Sequence, residues 1–151
     1  MAKSKTSAYA LVALRLLLGW LFLYSGVTKA LNPEFTAAGL LGGAKTFHSL
    51  YAWFASDANI GWVNFMNIWG QIFIGAGLML GAFTRYASYA GVLLMGLYYF
   101  PGLEFPYVEH GFLVDDHVIY ALAFVILATH SAGETYGLDA WLKKKFKWKW
   151  L

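Results

Sequence analysis

Four stretches of this chain are apolar over lengths set by the thickness of a lipid bilayer, and nothing else in the sequence constrains its fold as much. A helix needs about 20 consecutive, mainly apolar residues to cross the hydrocarbon layer. Tyr9 to Ala30 (YALVALRLLLGWLFLYSGVTKA) meets that length, and further runs lie over about 61–83, 86–100 and 116–131. The first run is too long for the apolar core of a secretory signal and reads as a retained helix, stopped by Asn32-Pro33. Composition agrees, since 60% of the 151 residues are apolar and 13% charged, against about 45–50% and 25% in soluble domains. A soluble chain this short would leave much of that apolar surface facing water. The expectation is an all-α membrane protein. It is a single domain over 1–151 folded as a four-transmembrane-helix bundle, with a long first outer loop that has room for a short helix around Thr46 to Phe54.

Charge placement predicts orientation, because Lys and Arg are retained on the cytoplasmic side. With four spans, Lys3, Lys5, Arg85 and the five tail lysines share one side, while Lys29 and Lys45 lie on the other with six of the eight acids. Both termini are therefore expected in the cytoplasm, in a multi-pass protein of the plasma membrane. The basic amphipathic tail, 140–151, interleaves Trp141, Trp148 and Trp150 with lysines, which suits an interfacial anchor on the lipid bilayer rather than nucleic acid. Glycines at 70, 75, 77 and 81 suit a helix that meets its neighbours backbone to backbone. The chain has no cysteine, so it forms no disulfide and offers no thiolate nucleophile and no CxxC redox pair.

Polar residues inside the runs are costly in lipid and therefore informative. Arg15 lies about 9 Å inside the first run, and Arg15, Gly19, Phe22, Gly26 and Lys29 share one helical face. That face either turns into the bundle or lets its two cations snorkel to opposite surfaces. In the second run Asn64, Asn67, Gln71 and Gly75 form a stripe from the outer interface toward mid-membrane. Its amides can bond a neighbouring helix, and Gln71 can equally bind a carbonyl-bearing ligand. The fourth run opens with Asp115, Asp116, His117 and Tyr120. One of the two aspartates is expected to cap the helix, and Asp116 beside His117 is a minimal set for moving protons. His117 and His130 sit at opposite ends of one helix and cannot share a haem iron within one chain, so neither haem nor a metal is expected. Lys29, Asn67, Asp116 and His117 are expected to converge at the outer ends of the helices.

The segments LRLLLGWLFLYSGVTKAL, GAGLMLGAFTR and VDDHVIYALAFVILATHSAGETYGLD resemble the DoxX/DoxD family of small membrane proteins over roughly 9–140. DDHxIYAL followed by GLD is closest to the DoxD-like branch, the large membrane subunit of thiosulfate:quinone oxidoreductase. The resemblance implies a four-helix bundle, oxidation of thiosulfate to tetrathionate with electrons passed to membrane quinone, and a small second redox subunit. Arg15, Lys29, Arg85, Asp116 and His117 stand where these motifs place their polar positions.

Two function classes follow. On the enzyme reading, Lys29, Asn67 and Arg15 bind the substrate anion, Gln71, Tyr98 and Tyr120 line the quinone head-group site, and Asp116 and His117 handle protons as catalytic residues. On the other reading the chain is a non-catalytic membrane scaffold or binding subunit that docks a partner protein. A homo-oligomer is compatible with either.

Overall fold

The computed structural model describes residues 5–108 and 111–146. The element order is α1 (Lys5–Leu31), α2 (Ala38–Gly42), α3 (His48–Ala55), α4 (Ile60–Leu80), α5 (Thr84–Gly102), β1 (Tyr107–Val108), β2 (Gly111–Phe112), α6 (Asp116–Thr129) and α7 (Leu138–Phe146). Helices α1 and α4 are long and apolar enough to cross a membrane. Helix α5 is nearly as long but carries Arg85, Ser88 and four tyrosines. Helix α6 has 14 residues and spans about 21 Å. The expected short loop helix around Thr46 to Phe54 is α3; α2 and the β1–β2 hairpin have no counterpart in the sequence reading. The tail expected to be amphipathic starts as α7, and its positions 147–151 lie outside the described residues.

The four long helices pack as two tight pairs, α1 with α4 and α5 with α6, joined by looser contacts of α4 with α5 and of α1 with α6. Glycine makes the first pair possible. A Cβ on Gly75 would lie 2.3 Å from the Leu23 amide nitrogen, one on Gly26 2.8 Å from that of Ile72, and one on Gly19 2.9 Å from that of Met79. Side-chain size, not conformational freedom, sets these positions, because backbone meets backbone along the whole seam. In the second pair Gly91 receives the Phe124 ring. The centre is filled by Leu18, Phe22, Ile74, Leu78, Met95, Phe124 and Leu127. Phe22 meets Phe124 edge to face at 5.0 Å, which joins the two pairs.

A smaller cluster of Ala37, Leu41, Ala44 and Tyr51 holds α2 and α3 over one end of the bundle. The Tyr51 hydroxyl donates to the Leu97 carbonyl at 3.2 Å, and Asn64 Oδ1 accepts from the Ala37 amide at 2.9 Å. Asn64, the first residue of the polar stripe, thus serves the loop. Outward, the helices present bulky apolar residues such as Leu17, Trp20, Phe73, Leu93 and Leu122, the surface a chain in lipid presents.

Candidate functional site

The site grows from the start of α6. Asp115 has extended backbone and caps the helix, its Oδ1 accepting from the amides of His117 (3.0 Å) and Val118 (3.3 Å). Its other oxygen lies 2.7 Å from His117 Nδ1. One carboxylate therefore terminates the helix and orients the imidazole, which leaves Nε2 as the ring's other protonation site. The His117 ring stands edge-on to Tyr98 of α5, with centroids 5.9 Å apart.

Tyr98 is the centre of the arrangement. Its hydroxyl lies 3.1 Å from Lys29 Nζ, 2.6 Å from Asn67 Nδ2 and 3.1 Å from Gln71 Nε2. A phenolic oxygen accepts two hydrogen bonds and donates one, so three incoming donors exceed its capacity. Turning the Gln71 amide over resolves this. Tyr98 then donates to Gln71 Oε1, an atom otherwise buried without a partner, while Lys29 and Asn67 donate to Tyr98. Lys29 Nζ also donates to Asn67 Oδ1 at 3.2 Å and lies 5.2 Å from the centroid of Phe35 and 5.3 Å from that of Tyr98. No carboxylate stands within ion-pair distance of Lys29 among the described residues. Its charge is held by dipoles and ring faces, which leaves it attractive to an incoming anion.

These groups border a cavity of about 300 Å³ lined by Lys29, Phe35, Asn67, Tyr98, Asp115 and His117 among others. Helices α1, α4, α5 and α6 each supply a polar side chain. A hydrogen-bond cluster around a cation, with an imidazole–carboxylate pair beside it, can hold an oxyanion or a carbonyl and exchange protons with it.

Of the residues singled out in the sequence, Lys29, Asn67, Gln71, Tyr98 and His117 come together here. Asp116 does not. It is exposed in the first turn of α6, because the capping position one residue earlier takes the carboxylate that faces the imidazole. The pairing expected of Asp116 and His117 is made by Asp115. Tyr120 packs partly buried against the bundle core and is not on the cavity wall. Phe35 went unnoticed in the sequence, where an aromatic residue just past a proline break gives no signal.

Arg15 lies at the other end of the bundle, about 21 Å along α1 from Lys29. It is buried, and its guanidinium donates to the carbonyls of Ala132 (2.8 Å), Thr135 (3.1 Å) and Tyr136 (3.0 Å). These bonds fasten the turn after α6, so Arg15 does not join the substrate cluster expected of it. Asp139, also buried, completes the fastening by accepting from the amides of Phe83 (2.6 Å) and Thr84 (3.0 Å) at the start of α5. Gly81, in the left-handed conformation at φ 64°, lets the α4–α5 turn pass close to Arg15. The sequence contains Asp139 in GLD, yet nothing local marks it as a cap for a helix that starts 55 residues earlier.

No curated protein and no solved structure matches the chain. The DoxX family model matches residues 10–100. That range includes Lys29, Asn67, Gln71 and Tyr98, and it ends before α6 with Asp115 and His117. The match takes in more than half of the sequence, with most of α1 and all of α4, and the chain belongs to the DoxX family of membrane proteins.

Proposed function

We propose that this protein is the four-span plasma-membrane subunit of a quinone-linked oxidoreductase of the DoxD-like, thiosulfate:quinone type, with both termini in the cytoplasm and a small second redox subunit as partner. The observation that carries the reading is the Lys29 ammonium, without a carboxylate partner among the described residues and bonded to Asn67 and Tyr98 on the wall of a cavity that His117 and Asp115 also line. An ammonium has three N–H groups. Two are spent on Asn67 Oδ1 and the Tyr98 hydroxyl, and the third is available to an oxyanion.

The balance of the reaction assigns the proton chemistry. Two thiosulfate dianions joined through sulfur give tetrathionate and two electrons, and a quinone taking up those electrons needs two protons to become quinol. Thiosulfate supplies none, so they must come from water by way of the protein. That delivery falls to His117 on this reading, which the contact of its ring with Asp115 supports. The quinone supplies the two-electron acceptor. Gln71 fits a carbonyl head group, since turning its amide over to accept from Tyr98 leaves its Nε2 donors without a partner.

The test is thiosulfate-dependent reduction of a soluble quinone analogue by the chain purified together with its partner subunit. Lys29→Met is expected to lower kcat/KM for thiosulfate by about 10²-fold. A complex with verified bound quinone but no thiosulfate-dependent turnover would refute the reading. Topology is tested on single cysteines placed into the cysteine-free chain. Positions 45 and 108 are expected to react with an impermeant reagent from outside and position 145 only after permeabilisation.

A second reading, a non-catalytic subunit that docks a partner protein, is favoured by the loop before α6. Phe105, Tyr107 and Phe112 are 78%, 64% and 63% exposed there, an aromatic patch suited to a protein partner. Partner capture that depends on these rings, in a complex without turnover, would select it.

A further inference from the structure

Helices α4 and α5 belong to different tight pairs and are separated by an apolar groove. Near the Tyr98 end the groove has a volume of about 480 Å³, bordered by Trp62, Met66, Leu93 and Leu97 and roofed by Tyr51 and Phe54 of α3. Past Gly70, Ile74 and Ala90 it continues into a second hollow of about 520 Å³ that reaches Leu80 and Phe83. From Asn67 to Leu80 the two hollows follow α4 for about 20 Å, roughly two-thirds of the hydrocarbon layer. Gly70 faces open space in the passage, where a Cβ added to it would meet nothing within 4 Å.

One stretch of the groove wall is polar. Asn67 and Tyr98 border both the Lys29 cavity and the groove, as do the apolar Ala37 and Leu40. Lys29 belongs to the cavity, and among the described residues no charged one lines either hollow. A ligand lying here would have a long hydrocarbon tail in the seam and a neutral, hydrogen-bond-accepting head at the Asn67 amide, which keeps one N–H after the other goes to the Tyr98 hydroxyl. A phospholipid head carries a phosphate, which would need a cation on the groove side. A helix from a second copy of the chain would bring apolar side chains to a wall that offers hydrogen bonds.

We infer that the α4–α5 groove holds the polyprenyl tail of a membrane quinone, with its head against the Asn67–Tyr98 wall. This rests on the quinone-linked reading above and adds a route: the quinone enters sideways from lipid between α4 and α5, while the oxyanion arrives from water at Lys29. The two substrates then meet across a single layer of side chains, which keeps a charged ion out of the lipid and a hydrocarbon tail out of the water.

The test compares binding of a long-tailed ubiquinone analogue and its tail-less head group to the full chain in detergent, read by quenching of tryptophan fluorescence. Gly70→Leu, which puts a side chain into open space, and Ala90→Leu on the facing helix narrow the groove from opposite sides. Each is expected to raise the Kd of the long-tailed analogue at least tenfold and to change that of the head group less than twofold. A photoreactive group in the tail is expected to label Phe73 or Leu93. Equal affinity of wild type and both variants for the long-tailed analogue would overturn the groove assignment and leave the head-group site standing. Failure of the wild type to bind either analogue would overturn both. A phospholipid probe that labels the same residues and is not displaced by the quinone would overturn the choice of ligand.

Discussion

Replacing Arg15 with methionine separates a binding role from a fastening role, because the two predict losses at opposite ends of the molecule. Methionine keeps the length and apolar stem of the side chain and removes the guanidinium. The carbonyls of Ala132, Thr135 and Tyr136 lose their charged donor, and Asp139 loses the cation it feels through space. Hydrogen bonds to charged groups contribute about 1.5–3 kcal/mol each. The three share one side chain and are not additive, so breaking the buried arrangement is expected to cost about 3–5 kcal/mol. For a chain of this size that is a fall in melting temperature on the order of 10 °C. The assay is thermal unfolding in detergent, followed by near-UV circular dichroism, with quinone and thiosulfate binding measured well below the transition. Binding is expected to be unchanged, since Lys29 lies about 21 Å away along the same helix. A variant that melts within 2 °C of wild type but has lost thiosulfate binding would refute this reasoning and return Arg15 to the substrate site.

Asp115→Asn retains a good helix cap while removing the charge opposite His117. It is expected to cut turnover about 10²-fold with little change in stability, whereas Asp116→Asn changes neither; the reverse pattern would restore Asp116 as the partner. Gly75→Ala drives a Cβ against the Leu23 backbone and is expected to cost about 1–3 kcal/mol in the same unfolding assay, while Gly70→Ala, in open space, holds or gains stability. The Glu104 carboxyl is held below its ordinary 4.5 by its bond to Lys45. A depressed carboxyl stabilises above its unfolded value and loses that contribution as pH falls through the folded value. Both partners are exposed, so Lys45→Ala is expected to return the Glu104 midpoint toward 4.5 by NMR titration without a measurable change in acid stability.

The helices were legible in the sequence because each is built from local information. The first run, read as 9–30, is α1 over Lys5–Leu31, and the run read as 61–83 is α4 over Ile60–Leu80. The helical face drawn through Arg15, Gly19, Phe22 and Gly26 is the face that turns inward, and Asn67, Gln71 and Gly75 are buried as their spacing suggests. The stripe was legible for the same reason as the helix: a period of 3.6 places the residues that lipid rejects on one side. Partners across the fold were not. Asp115 and Asp116 are equivalent in composition, and only the extended backbone of the capping residue decides which carboxylate faces the imidazole. Arg15 read as a ligand-binding cation because its partners are main-chain carbonyls, which no sequence pattern advertises. Asp139 escaped notice because its amide partners sit 55 and 56 residues earlier, at the start of α5.

The Arg15 fastening also bears on how the chain is made. Its nearest hydrogen-bonding carbonyl is 117 residues further along the sequence and its most distant 121. At about 5–20 residues per second, the ribosome needs on the order of ten seconds to supply them. During that interval the first apolar segment has left the ribosome with an unanswered charge near one end, and the start of α5 has no carboxylate over its amides. The Arg15 end of the bundle is fastened only when the segment around 132–139 arrives, so this late-made part of the described chain acts as the latch for the first. A nascent chain halted before that point holds Arg15 without its three carbonyl acceptors.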